Sequence, residues 1–203
     1  MAHKAACLAA RNWYPLACFV AIAASLSEGR YVLGVLTAFA MALASYWFHR
    51  ATHIGVLRDL PMGHARVHHD PDHWLLKIPF GHTLAKVHEA FTNLMCSGGF
   101  MLLCPPLLNA VPKLVPLWTA LLYTSLHFVN FHSDGESGDL HRAHHADPTT
   151  NFGPNVLDAA FGTYTGPEDM MNWVPTMVAT AIAAGLLAKL WTCLPRLSLR
   201  RPS

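Results

Sequence analysis

Charge is what this sequence has least of. Asp, Glu, Lys and Arg together make up 13% of its 203 residues, about half the share of an ordinary soluble domain, and the mean hydropathy is +0.28. A net charge of +2 is too small to draw a polyanion. No Lys/Arg stripe is interleaved with aromatics, so nucleic acid is not an expected partner. Cysteine is sparse and scattered: Cys7, Cys18, Cys96, Cys104 and Cys193 form no Cys-x-x-Cys and lie in or beside apolar runs. Neither a disulfide framework nor a thiolate zinc site is expected from them. No Gly-x-Gly-x-x-Gly, haem or flavin motif is present, nor any internal repeat or heptad array.

What the chain has instead is histidine, fourteen of them against twelve carboxylates. Eight fall in three clusters: His49 and His53; His64, His68 and His69; His141, His144 and His145. The separations are three and four residues, which on a helix place imidazoles on one face about a turn apart. Imidazole is the commonest protein metal ligand. A polar helix end explains one such pair; three clusters in one short chain point to a metal centre bound by nitrogen. All-nitrogen sets suit zinc, iron or copper. Structural zinc needs only four ligands, usually with cysteine, so eight to ten histidines suggest two metals and redox chemistry on a small molecule such as dioxygen.

The other signal is apolar. Uncharged runs cover 13–26, 31–48, 90–104 and 114–131, and a last run covers 173–194. Most are near the lower limit for crossing a bilayer, where roughly 17–25 residues are needed. A cleaved signal peptide is the rival reading of the first run, but a second apolar run follows directly. The expected fold is therefore all-α and integral to a membrane. It has a polar tail at 1–12, a transmembrane hairpin over 13–48, and a histidine-rich cap over 49–90. A second hairpin over 90–131, the rest of the cap over 132–172 and a C-terminal apolar helix at 173–194 complete it. Pro105, Pro106 and Pro112 supply the connection inside the second hairpin. Tyr46, Trp47 and Phe48 put aromatics where the chain leaves the bilayer. A cap at the membrane surface implies a lipid substrate arriving laterally. Basic residues in the histidine segments favour a cytoplasmic cap by the positive-inside tendency. The basic C-terminal end, Arg196 to Arg201, disagrees if 173–194 spans once, unless that segment re-enters or lies in the interface.

His-x-x-x-His, His-x-x-x-His-His and His-x-x-His-His beside helical membrane segments resemble the fatty acid hydroxylase/sterol desaturase superfamily. Further resemblance lies in Tyr46-Trp47-Phe48-His49-Arg50, in Asn151-Phe152-Gly153, and in Leu157-Asp158-Ala159-Ala160-Phe161-Gly162-Thr163-Tyr164, similar to a closing Trp-Asp-x-x-Phe-Gly-Thr-Tyr. It covers about residues 35 to 168. The resemblance implies an integral-membrane enzyme with two iron ions and dioxygen as co-substrate, hydroxylating or desaturating a lipid. His49, His53, His64, His68, His69, His141, His144 and His145 would be ligands. A further histidine expected after the second hairpin corresponds to His132, followed by Ser133, with His127 able to join it. His82, His88, His73 and His3 are not expected in the site. Asp70, Asp147 and Asp158 are candidate acceptors for ligand imidazoles, and Asn151 a turn residue.

The middle cluster departs from the usual His-x-x-His-His by one residue, His132 to His141 is short, and the 173–194 run continues where many relatives have a soluble tail. The flanking text is closest to fatty acid 2-hydroxylases, so fatty acyl or sphingolipid hydroxylation is the favoured activity. Sterol desaturation or C4-methyl oxidation is the alternative, then carotenoid hydroxylation, and a membrane metal-binding or transport protein is the non-enzyme reading. Electrons must come from a separate donor, cytochrome b5 or a ferredoxin with its reductase. The implied home is the endoplasmic reticulum membrane in a eukaryote or the inner membrane in a bacterium.

Overall fold

A computed structural model describes residues 2–132, 136–166 and 173–198. The described residues contain helices and no strand. In order they are α1 (Ala2–Arg11), α2 (Trp13–Ser25), α3 (Tyr31–Thr52), α4 (Gly55–Arg58), α5 (His64–His69), α6 (Gly81–Leu94), α7 (Phe100–Leu102), α8 (Pro105–Ala110), α9 (Leu114–His132), α10 (Glu136–Ala146), α11 (Asn155–Phe161) and α12 (Val174–Ser198).

Helix α3 shows how the sequence places the site. Its 22 residues span about 33 Å at 1.5 Å per residue, the thickness of a bilayer's hydrocarbon core. Gly34, Thr37, Ala38, Met41, Ser45, His49 and Thr52 are buried, one stripe at steps of three and four. Val32, Leu36, Phe39 and Leu43 on the other side are exposed, an apolar outer face suited to lipid. The inward stripe that packs small residues in the apolar half carries His49 inward at the other end.

Two helices, Tyr31–Thr52 and Val174–Trp191, are long and apolar enough to cross a membrane. A third counts if α1 and α2, bent by 79° at their junction, are taken as one span. The apolar part of α9, Leu114–Phe128, is shorter. Helices α2, α3, α9 and α12 surround a core of Ala23, Ala38, Val115, Trp118, Leu122, Met177 and Ala184. Trp118 anchors it, its ring tilted against that of Phe19 with centres 5.1 Å apart and its indole N–H donated to the Met177 carbonyl at 3.1 Å.

Two segments differ from the sequence expectation. Residues 1–12 are not a loose tail: α1 docks on α11 by burying Leu8 against Ala159 and Tyr164, and Lys4 donates to the Tyr164 carbonyl at 3.3 Å. Its alternating small and apolar residues are too few to declare a buried face without α11 opposite them. The run at 90–104 is not one helix. Helix α6 starts earlier, at Gly81, and a π-turn over Met95–Gly99 leaves helical geometry at Ser97 and Gly98. Gly98 has φ +126°, and a Cβ there would press on the Pro116 carbonyl at 2.7 Å. Only glycine lets α9 pass so close, and Thr119 seals the crossing by donating to the Ser97 carbonyl at 3.1 Å.

Candidate metal centre

Four separate elements bring the histidines together. The end of α3 supplies His49 and His53, α5 supplies His64, His68 and His69, α9 supplies His127, and α10 supplies His141, His144 and His145. All nine take part in three overlapping close-set groups: His49, His53, His64, His69 and His144; His68, His127 and His141; and His68, His69 and His145. The last two share His68 and together make the second nest. The side chain of His132 lies outside the described residues.

In the first nest, one nitrogen each from His49, His53, His64, His69 and His144 lie within 4.8 Å of one another. The Nε2 atoms of His49, His53, His64 and His144, and both nitrogens of His69, are buried with no hydrogen-bond partner. Buried polar atoms are nearly always paired, so this many unpaired nitrogens converging on one point mark a place for a cation. The second ring nitrogens are tied down where it matters. His49 donates from Nδ1 to the Phe152 carbonyl at 2.8 Å, and His144 donates from Nδ1 to the Thr150 carbonyl at 2.6 Å. A ring that donates from Nδ1 presents its lone pair from Nε2, the arrangement a metal ligand needs.

The second nest is built on His68. Its Nε2 lies 3.0 Å from His145 Nε2, 3.3 Å from His127 Nε2 and 3.4 Å from His141 Nε2, and His145 Nε2 is 3.1 Å from His141 Nε2. Nitrogens so close repel unless a proton or a cation lies among them. Ligands about 2.0–2.1 Å from one ion stand about 2.9–3.4 Å from each other, so the spacing fits a shared metal. His69 joins the nests, its ring stacked on that of His145 at 4.1 Å and set against that of His53 at 4.6 Å.

Protonation agrees with this reading. Burial, reinforced by neighbouring imidazoles, pushes His53 and His145 down to about 3 and His141 to about 2. It lowers His64 and His69 strongly as well. Burial takes His144 down to about 4 although its bond to Thr150 opposes the shift. At neutral pH these rings are neutral, the form that binds metal.

No family model, curated protein or solved structure matches this chain. The donor set itself therefore carries the chemistry. A buried cluster of neutral imidazoles could hold a metal ion.

The carboxylates behave differently from the sequence expectation. Asp70 accepts from the Asp72 amide at 2.9 Å and faces Arg66, and Asp147 accepts from Thr149, so both serve turns. Asp158 reaches the imidazoles only through the backbone. Fully enclosed, it accepts from the amides of Phe152 at 2.9 Å and Gly153 at 2.6 Å and from Thr163 Oγ1 at 2.7 Å. That fixes the loop whose carbonyls hold His49 and His144. Burial raises its carboxyl to about 6 against the pull of those three donors. Asn151 joins the same loop to Thr165 from both ends of its amide.

Glu89 was not foreseen. Its carboxylate is buried on α6, with Oε1 2.7 Å from His127 Nε2 and Oε2 3.2 Å from His68 Nδ1. Burial pushes its carboxyl up, but the contacts with His127 and His68 outweigh this and hold it well below the usual range. The signal was there in outline: Gly81, Ala85, Glu89 and Asn93 form one buried stripe at steps of four, and a carboxylate in such a stripe needs a partner. Of the remaining histidines, buried His73 caps a short turn, bonding the Pro61 carbonyl at 2.9 Å and accepting from the Leu75 amide. His82 is exposed, His88 half-buried, and neither belongs to a metal-capable group among the described residues.

An apolar cavity of about 230 Å³ borders the first nest, with His49, His64, Phe48, Phe91, Met62 and Tyr123 among its walls. A second, of about 140 Å³, lies between α2, α3, α9 and α12 and shares Ser45 and Tyr123 with it. Tyr123 stands at the junction, its hydroxyl 3.1 Å from His49 Nδ1.

Proposed function

We propose that this protein is a membrane-bound, di-iron, dioxygen-dependent lipid hydroxylase acting on a fatty acyl or sphingolipid chain. The observation that carries the reading is the nest of unpaired, inward-facing imidazole nitrogens from His49, His53, His64, His69 and His144, with the close-set nitrogens of His68, His127, His141 and His145 beside it. No Cys lies among them, so oxygen- and nitrogen-preferring redox metals are favoured over thiolate-bound zinc. Two ferrous ions would supply the activation of dioxygen that breaking an unactivated C–H bond requires.

The chain's own residues do the rest. Phe152 and Thr150 carbonyls keep His49 and His144 in the tautomer that offers Nε2, and Asp158 keeps that loop rigid. The cavity beside His49 and His64 is walled by Phe48, Phe91, Leu57, Leu60 and Met62, which are also exposed on the outside. An apolar chain entering from the lipid side would meet the nest without crossing water. The lining favours a flexible methylene chain over a polar substrate. Electrons are delivered by a separate protein, cytochrome b5 or a ferredoxin with its reductase. The histidines face the cytoplasm, at the endoplasmic reticulum membrane of a eukaryote or the inner membrane of a bacterium.

The test is to purify the protein with its metal, count iron per chain, and compare lipid extracts of expressing and control cells by mass spectrometry. A lipid heavier by one oxygen atom, absent with His144→Ala, supports the reading and names the substrate. Iron well below one per chain with zinc in its place overturns it in favour of a metal-binding protein.

A further inference from the structure

The two nests have the same ligand type but different surroundings. Around the first, the groups that orient imidazoles are neutral carbonyls, those of Phe152 and Thr150. The carboxylate of Asp158 stands one layer further out, bound to amides. Arg58 is close enough to His53 to disfavour its protonation. Asp147 is near His144, but it is fully open to solvent, which screens it, and its oxygens serve Thr149. In the second nest an anion touches the rings directly. Glu89 contacts His68 through Nδ1 and His127 through Nε2. A carboxylate only accepts, so His68 turns its Nδ1–H toward it, whereas His127 faces both Glu89 and the nest with the same Nε2 atom. For His68 this leaves Nε2, the atom at the centre of the second nest, as the lone-pair nitrogen. Glu89 also stands behind one wall of a water-poor cluster, where a full negative charge acts strongly on a divalent cation.

We propose that Glu89 makes the two metal positions unequal: the position among His68, His141 and His145, beside Glu89 and His127, is the anionic, tighter one and fills first, and the all-imidazole position fills second. Glu89 is a positioning residue that acts through His68. The proposal rests on the two-metal reading above. It goes beyond that reading in assigning an order of loading and a residue that sets it. Outer carboxylates behind ligating histidines typically contribute 10- to 100-fold to metal affinity, which sets the size of effect to look for.

The experiment is a titration of the metal-free full chain, in detergent and without oxygen, with Co²⁺. Visible absorption follows each phase, and metal per chain is counted after buffer exchange. The wild type is expected to bind two equivalents in separable phases. Glu89→Gln, which keeps the shape and removes the charge, should weaken the tight phase by about 10- to 100-fold and leave the weak phase in place. Glu89→Asp should keep the tight phase tighter than Glu89→Gln does, and His64→Ala should lose the weak phase and keep the tight one. Circular dichroism checks that each variant is folded; if Glu89→Gln is not, His64→Ala still decides, because loss of the tight phase there overturns the assignment. Two wild-type equivalents of equal affinity, or both phases moving together in Glu89→Gln, overturn the proposal and leave the two-metal reading standing. At most one equivalent in the wild type overturns both.

Discussion

His144 is the most enclosed imidazole of the cluster, with no exposed surface, held from behind by Thr150 and facing His49 and His53 at ring separations of 4.8 Å. Replacing it with alanine removes one of the nitrogens that converge in the first nest, and no neighbour already in the nest can take its place. His144→Ala should cost at least one metal equivalent per chain, read by elemental analysis. Asp158→Ala acts by another route. It strips the acceptor from two buried amides and a hydroxyl, each costing about 1–3 kcal/mol when left unpaired, so a fall in thermal midpoint of several degrees is expected even without metal.

Protonation gives a third prediction at this scale. His53, His141, His144 and His145 titrate at about 2 to 4 when folded, against about 6.5 unfolded. Below 6.5 the unfolded chain takes up protons that the folded one refuses. The stability these groups contribute is thus complete above about pH 6.5 and is lost progressively as pH falls from there to about 2–4. The melting temperature of the metal-free protein should drop steadily over that window and be flat for these groups from about pH 7 to 8. In that flat range, metal binding should release few protons from these four rings, measurable by calorimetry in buffers of different ionisation enthalpy.

Among the elements, α3 does most to join membrane and site. Its apolar run and the histidine pair at its end were legible in sequence. What it packs against was not. Gly34 meets Ser27 and the Ala23 carbonyl of α2 so closely that a Cβ has no room. Small residues allow such close helix approach in membranes, where packing rather than apolar burial drives association. Gly34→Ala should therefore destabilise the α2–α3 contact by roughly 1–3 kcal/mol, seen as a lower thermal midpoint in detergent with metal stoichiometry retained at low temperature. Helix α6 gives the converse lesson. The break that follows it, at Ser97 and Gly98, was hidden inside an apolar run, because the reason for it is the approach of Pro116 and Thr119 from α9.

For the molecule as a whole, two helices are of membrane-crossing length and the histidines gather in one largely buried cluster. A ligand that binds only the folded state stabilises it by mass action, so adding metal to the metal-free protein should raise its melting temperature in a concentration-dependent way. The same addition to a His144→Ala protein should raise it less. The histidine count, the poverty in charge and thiolate, and the helical spacing of the clusters are local properties. By themselves they determined an all-helical, apolar chain with a nitrogen-rich, metal-capable cluster, because periodicity and donor chemistry are written residue by residue. Only the tertiary structure decided how nine histidines divide into two nests, that His127 stands among them, that Glu89 rather than Asp70 or Asp147 touches the rings, and that Asp158 works through a backbone loop. Those facts depend on how α3, α5, α6, α9 and α10 cross in space, and a crossing is fixed by packing between distant residues that no single stretch of sequence contains.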